Sequence, residues 1–152
     1  MSNVHSKLAV GARFVLGLIF FVFGLNGFFA FLPQPPLPET AGAFLGGLAA
    51  SGYFFPLLKG TEVLVGIALL SNRFVPLALT VLAPISLNIF LFHALLAPAL
   101  ALPIAILTLQ AYLAWNYRAA YRALLQARAS VALPATNSPA RSGSLTHARE
   151  AV

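Results

Sequence analysis

Two runs of nineteen residues, 14–32 and 74–92, contain no Asp, Glu, Lys or Arg. At about 1.5 Å per residue each would form a helix about 28 Å long, close to the roughly 30 Å hydrocarbon core of a bilayer. No other feature narrows the fold as much. Backbone N–H and C=O groups in hydrocarbon find no water, so a spanning segment must satisfy them within itself or in a closed barrel. The rest of the chain agrees: 60% of its 152 residues are hydrophobic, 8% are charged and mean hydropathy is +0.89, whereas a soluble domain carries about 25% charged residues. The chain reads as an all-α integral membrane protein.

Residues 1–13 form a short polar leader with Lys7 and Arg13, and the first span follows at 14–32. This apolar run exceeds the roughly 7–15 residues of a signal-peptide core, and no small-x-small site precedes Pro33, so it is expected to stay uncleaved. Gly17, Gly24 and Gly27 fall near one face of that span, as on a helix packed closely against a neighbour. Four prolines among residues 33–38 exclude helix and mark a turn. Residues 40–51 are small, apolar and too few to cross a bilayer, which predicts a short interfacial or re-entrant helix between the first and second spans. The second span is expected at 56–71, opened by Pro56, and the third at 74–92, kinked by Pro84 with Thr80 or a neighbouring helix serving the freed carbonyl. A fourth follows at 99–117, ending in Tyr112, Trp115 and Tyr117 before Arg118, Arg122 and Arg128, an aromatic belt with cationic anchors. The result is a four-helix membrane bundle over 14–121, with a polar tail over 122–152 that is expected to be mostly disordered.

In this up-down arrangement Lys7, Arg13, Arg73, Arg118, Arg122 and Arg128 share one side. The positive-inside rule then places both termini in the cytoplasm of a chain in the inner membrane. The net charge of +6 is thereby explained by topology. There is no basic stripe interleaved with aromatics, so nucleic acid is not an expected partner. The absence of cysteine removes thiolate metal sites and disulfide chemistry. A membrane haem usually needs two facing histidines, and His93 is the only one in the spans, since His5 and His147 lie in the leader and tail. Neither haem nor a metal is expected, and no phosphate loop or nucleophile-base-acid constellation appears.

Chemistry concentrates instead at Lys59 and Glu62. A charge in hydrocarbon costs at least about 2.5–3.5 kcal/mol, so such residues usually face the bundle and pair. Their i, i+3 spacing puts them on one helix face, and Gly66 continues it. The alternative is Lys59 snorkelling outward while Glu62 accepts a hydrogen bond from another helix. Counting helical rise from the outer ends, Asn26 and Glu62 lie about 9 Å deep and Asn88 about 6 Å, with His93 at the rim. Asn26, Lys59, Glu62, Asn88 and His93 thus form a candidate outer-half polar cluster. It would hold a carbonyl or hydroxyl headgroup, with Phe28, Phe29 and Phe92 about a ring, or else only knit the helices together. Gln110 and Thr108 lie deeper on the fourth span.

The run 23–29 (Phe-Gly-Leu-Asn-Gly-Phe-Phe), the turn 31–38, and the segments 72–79, 82–84 and 88–93 resemble the DoxX family of small four-helix membrane proteins. The likeness covers about residues 12–121. It implies a subunit or accessory of a quinone-linked membrane oxidoreductase, of the kind found in bacteria and archaea, with quinone as the implied cofactor and a membrane redox subunit and lipid as partners. Most members have no established activity, and the resemblance supplies no catalytic residues. The other reading is a non-enzymatic lipid- or small-molecule-binding, transport or scaffolding protein; oligomerisation fits either.

Overall fold

A computed structural model describes residues 2–33 and 36–122. The described chain is all-helical: α1 (Ser2–Phe29), α2 (Glu39–Ala50), α3 (Phe54–Leu70), α4 (Val75–Leu95), α5 (Ala101–Asn116) and the single turn α6 (Arg118–Tyr121). α1 packs on α3, α3 on α4, α4 on α5, and α5 closes the ring on α1. A helix stands at each of the four segments expected to span and at the short segment before the second. The helix starts at Ser2, however, so the polar leader forms the first turns of α1 instead of a separate segment. The expected disordered tail lies outside the described residues from 123 onward.

Length and composition allow α1, over Val4–Phe29, and α4 to cross a bilayer. α2 and α3 together also pass as one span bent by 92°. α5, with 16 residues, is apolar but shorter. The bend between α2 and α3 falls where Gly52 takes φ +72°, a conformation glycine adopts without steric cost. Ser51 bridges it: its hydroxyl donates to Leu48 O at 2.6 Å and accepts from Phe54 N–H at 3.3 Å. Large apolar side chains such as Leu8, Phe14, Leu64 and Leu77 point outward, as expected where the surroundings are lipid.

The glycines organise the α1–α3 contact. A Cβ on Gly66 would lie 2.7 Å from Phe21 N, and one on Gly24 would lie 2.9 Å from Val63 N. Gly17 meets Leu69 and Leu70, and Gly27 meets the stem of Lys59. The pairs run antiparallel along one seam, and the backbones approach as closely as the missing side chains allow. Leu16, Phe20, Val65, Leu69, Leu79, Leu82, Ile106 and Leu113 fill the core beside it. Between lipid-exposed helices there is little hydrophobic driving force, so this close van der Waals packing is the main source of association.

Helix ends are closed by specific bonds. At the end of α3, Arg73 N–H donates to Ala68 O (2.9 Å) and Asn72 N–H to Leu69 O (3.2 Å), with Asn72 at φ +57°. This is a Schellman cap with asparagine in place of glycine. Arg13 of α1 is buried and donates to Leu69 O and Leu70 O. A cation thus meets the negative end of the α3 dipole. Tyr121 OH donates to Pro76 O at 3.0 Å and ties α6 to the first turn of α4. Burial raises the Tyr121 phenol above its ordinary value, with Thr80 opposing, so it remains a proton donor.

Pro84 lies inside α4, which continues through it without a break. Thr80, expected to serve the carbonyl that Pro84 frees, donates to Pro76 O (2.9 Å). The neighbouring helix supplies Gln110 Nε2 to Leu79 O at 2.9 Å, one residue before the freed carbonyl.

The seam predicts a sharp contrast between glycines. Gly66→Ala drives a methyl into the Phe21 backbone and should cost about 1–3 kcal/mol, as overpacking does. Gly46→Ala on α2 meets nothing within 4 Å and should be neutral or stabilise by up to about 1 kcal/mol. Thermal unfolding in detergent checks both, and a Gly66→Ala protein as stable as the parent would contradict the close approach.

Candidate functional site

Lys59 and Glu62 stand one helical turn apart on α3, and Lys59 Nζ donates to Glu62 Oε2 at 2.8 Å. The pairing expected from their spacing is therefore present. It is asymmetric: the Glu62 side chain is 3% exposed and that of Lys59 is 22% exposed. Glu62 belongs to the same inward stripe as Val65, Gly66 and Leu69, and its Cβ faces Gly24 of α1. Lys59 lies with its Cβ, Cγ and Cδ across Gly27. An α1 side chain at position 27 would occupy that path, so the glycine is what lets the lysine fold back along α1 and reach the carboxylate.

Asn26 sits between those two glycines and is buried. Its Oδ1 accepts from Leu32 N–H at 2.7 Å, and its carbonyl accepts from Ala30 N–H at 2.8 Å, Ala30 being in the left-handed region at φ +49°. The side chain thus fixes the chain reversal that follows α1.

Asn88 and His93 are placed elsewhere. Asn88 is exposed on α4 and lines a groove of about 220 Å³ with Phe44, Leu91, Phe92, Leu95 and Leu96. Phe44 comes from α2, and its ring lies 6.0 Å from that of Phe92, tilted by 35°. His93 is five residues from Asn88, about 140° around the helix. Its Nδ1 is buried with no hydrogen-bond partner among the described residues, and its ring lies 5.3 Å from Phe92. Among the described residues no hydrogen bond joins Asn26, Asn88 or His93 to the Lys59–Glu62 pair. Four of the five candidates therefore occupy two places, with the ion pair and Asn26 on the α1–α3 seam and Asn88 in the α2–α4 groove, while His93 lines neither.

Phe28 and Phe29 are exposed at the end of α1 and do not line the groove. Phe44 stands beside Phe92 there instead. It is the only aromatic residue of α2, a signal visible in the sequence but without meaning until α2 is known to fold over α4. Gln110 is buried and bonded to α4, with Oε1 unpartnered, and Thr108 donates to Ile104 O in its own helix.

No family model, curated protein or solved structure matches the chain.

The asymmetry of the pair makes its two halves unequal under mutation. In Glu62→Gln the lysine is released at a partly exposed position and can reach the polar surface. In Lys59→Met a buried carboxylate loses its partner, a class of change that costs about 3–5 kcal/mol when the charge stays. Lys59→Met should therefore lower the unfolding midpoint in detergent more than Glu62→Gln. Equal or reversed losses would mean that the lysine is the more deeply held partner.

Proposed function

We propose that this chain is a DoxX-like membrane subunit or accessory of a quinone-linked oxidoreductase system, and that it holds a ring-bearing headgroup in the α2–α4 groove. The observation that carries this reading is the groove's chemistry. It presents two phenyl rings for stacking, three leucines, and a single amide, that of Asn88, able to donate to a carbonyl or accept from a hydroxyl. Its volume is below the roughly 300–1,000 Å³ of sites that enclose a whole drug-sized ligand. A single ring with its tail lying in lipid suits that size. The residues fit a quinone at one carbonyl; such a group would bring electron-carrying capacity, while Phe44, Phe92 and Asn88 would orient its ring and exclude water. The partner would be a redox subunit in the same membrane.

A second reading has its own support. Leu91, Leu95 and Leu96 make half of the groove's lining aliphatic, which suits a lipid acyl chain with Asn88 meeting a glycerol or headgroup oxygen. The chain would then be a lipid-binding, transport or scaffolding protein.

Solvent extraction of the detergent-purified protein followed by mass spectrometry separates the two readings. On the first, quinone copurifies, and Asn88→Leu lowers its retention about two- to tenfold, the worth of one hydrogen bond at about 0.5–1.5 kcal/mol. Phospholipid without quinone selects the second reading. Neither in the parent protein removes both.

Membrane orientation belongs to the same proposal: both termini cytoplasmic in the bacterial inner membrane, supported by Lys7, Arg73, Arg118 and Arg122 at the end of the bundle that carries α6. A reporter active only in the periplasm should be silent when fused after Val152 and active when inserted beside Glu39. The opposite pattern inverts the topology.

A further inference from the structure

The Lys59–Glu62 pair lies on the α1–α3 seam, apart from the groove. Glu62 is buried with its Cβ against Gly24, and only its Oε2 carries a hydrogen bond among the described residues. Its partner is a long flexible side chain that is partly exposed, one turn nearer the start of α3, where α2 ends. The other elements packed on α3 bring no charge beside it. α1 presents Gly24 and Gly27, and its Arg13 is bonded to Leu69 O and Leu70 O, two turns away. α4 has His93 as its titratable group, at its last turn, and α2 has Glu39, at its first. The charge of Glu62 is therefore balanced by Lys59 alone.

Such a pair has two inexpensive arrangements. In one, the ammonium folds across Gly27 and the ion pair is closed. In the other, Glu62 is neutral, which suits a buried carboxyl, and Lys59 extends to the polar surface as lysines at helix ends do. An ion pair fixed for structure alone would gain nothing from a lysine that can leave. We propose that Lys59 and Glu62 form a proton-exchange latch. A proton delivered by hydronium bonds to Glu62 Oε2 and leaves water behind; the Nζ–H to Oε2 hydrogen bond breaks and Lys59, still an ammonium, moves outward. Loss of the proton to water reverses the step. The site gains one positive charge per proton taken up, with no redox partner involved. Gly27 is the positioning residue, since it keeps open the path along which the lysine closes.

Infrared difference spectroscopy on the full chain in liposomes tests this through the C=O stretch of a protonated carboxylic acid, assigned to Glu62 by its loss in Glu62→Gln. In the parent the band grows as the buffer is taken from mildly alkaline to mildly acidic, and vanishes on return. In Lys59→Met the same growth occurs at about tenfold or more lower proton concentration, because an opposite charge at hydrogen-bond distance shifts a carboxyl by about one to three pKa units. Gly27→Ala, whose methyl has atoms of the flexible lysine stem as its nearest neighbours, shifts it in the same direction while leaving the helix seam intact. A folded parent in which no Glu62 band appears across that range carries only a structural ion pair, and the latch is overturned. It is equally overturned if the three proteins titrate alike. Should Lys59→Met fail to fold, the parent and Gly27→Ala curves decide. Quinone or lipid content plays no part in the readout, so this result and that for the groove are independent.

Discussion

The close approach of α1 and α3 is the contact on which the rest of the molecule depends. It is made by absence: four glycines, three on α1 and one on α3, leave backbone facing backbone or side-chain stem at every turn of the seam. In water such a contact would be a minor part of a hydrophobic core. In lipid, where burying apolar surface against another helix gains little, dispersion contacts at short range supply most of the association. The seam also determines what polar chemistry is possible, because it brings Glu62 to Gly24 and Lys59 to Gly27. A bundle one side chain wider at those positions would leave room for water or deny the lysine its route.

Polar side chains in this bundle serve two masters, the backbone and any ligand. Arg13, Asn26, Thr80, Gln110 and Tyr121 each bond to main-chain groups that the helices cannot satisfy alone or that lie near a break. That is the expected first claim on polar groups in hydrocarbon, since an unsatisfied peptide group there costs several kcal/mol. Asn88 and the Lys59–Glu62 pair are different. The first is exposed in a groove and the second is satisfied by itself, so both are available to something other than the backbone.

Much of this arrangement is legible in the sequence. The charge-free runs fix the spans, the proline cluster fixes the first turn, and the i, i+3 spacing together with the cost of isolated charge gives the ion pair. Gly17, Gly24, Gly27 and Gly66 are readable as a packing face because small residues at helical spacing have few other uses in a membrane. Depth along a helix is also readable, and it places Asn26, Glu62, Asn88 and His93 in one half of the bundle. Azimuth is not. Equal depth on different helices says nothing about facing, and Asn88 and His93 turn away from each other because five residues are not a whole number of turns. Arg13 illustrates the same limit from the other side: as a charge near a helix end it reads as a topology signal, and only the antiparallel register of α1 and α3 shows that its guanidinium reaches the α3 carbonyls. Phe44 needed the 92° bend after α2, a tertiary fact set by the short connection around Ser51 and Gly52.

The two ends of the bundle are built to different standards. At the end carrying Ser2 and Arg122, the α3 terminus has both a Schellman cap and a buried arginine, and α6 is tied to α4 by Tyr121. At the opposite end, His93 Nδ1 has no partner among the described residues, the groove between α2 and α4 is open, and the Lys59–Glu62 pair leans on a partly exposed lysine. Elements with fewer internal bonds open at lower free energy, and ligand-responsive parts of proteins are drawn from them. α2 is the weakest of these elements on its own, because its three glycines at 42, 46 and 47 have no packing neighbour to compensate their backbone entropy. A helix held by the buried Ala41, by the Phe44–Phe92 contact and by its bend onto α3, with no part in the glycine seam, can shift without disturbing that seam. Binding and proton exchange at that end would therefore leave the α1–α3 core unchanged, which is the division of labour the distribution of bonds in this chain supports.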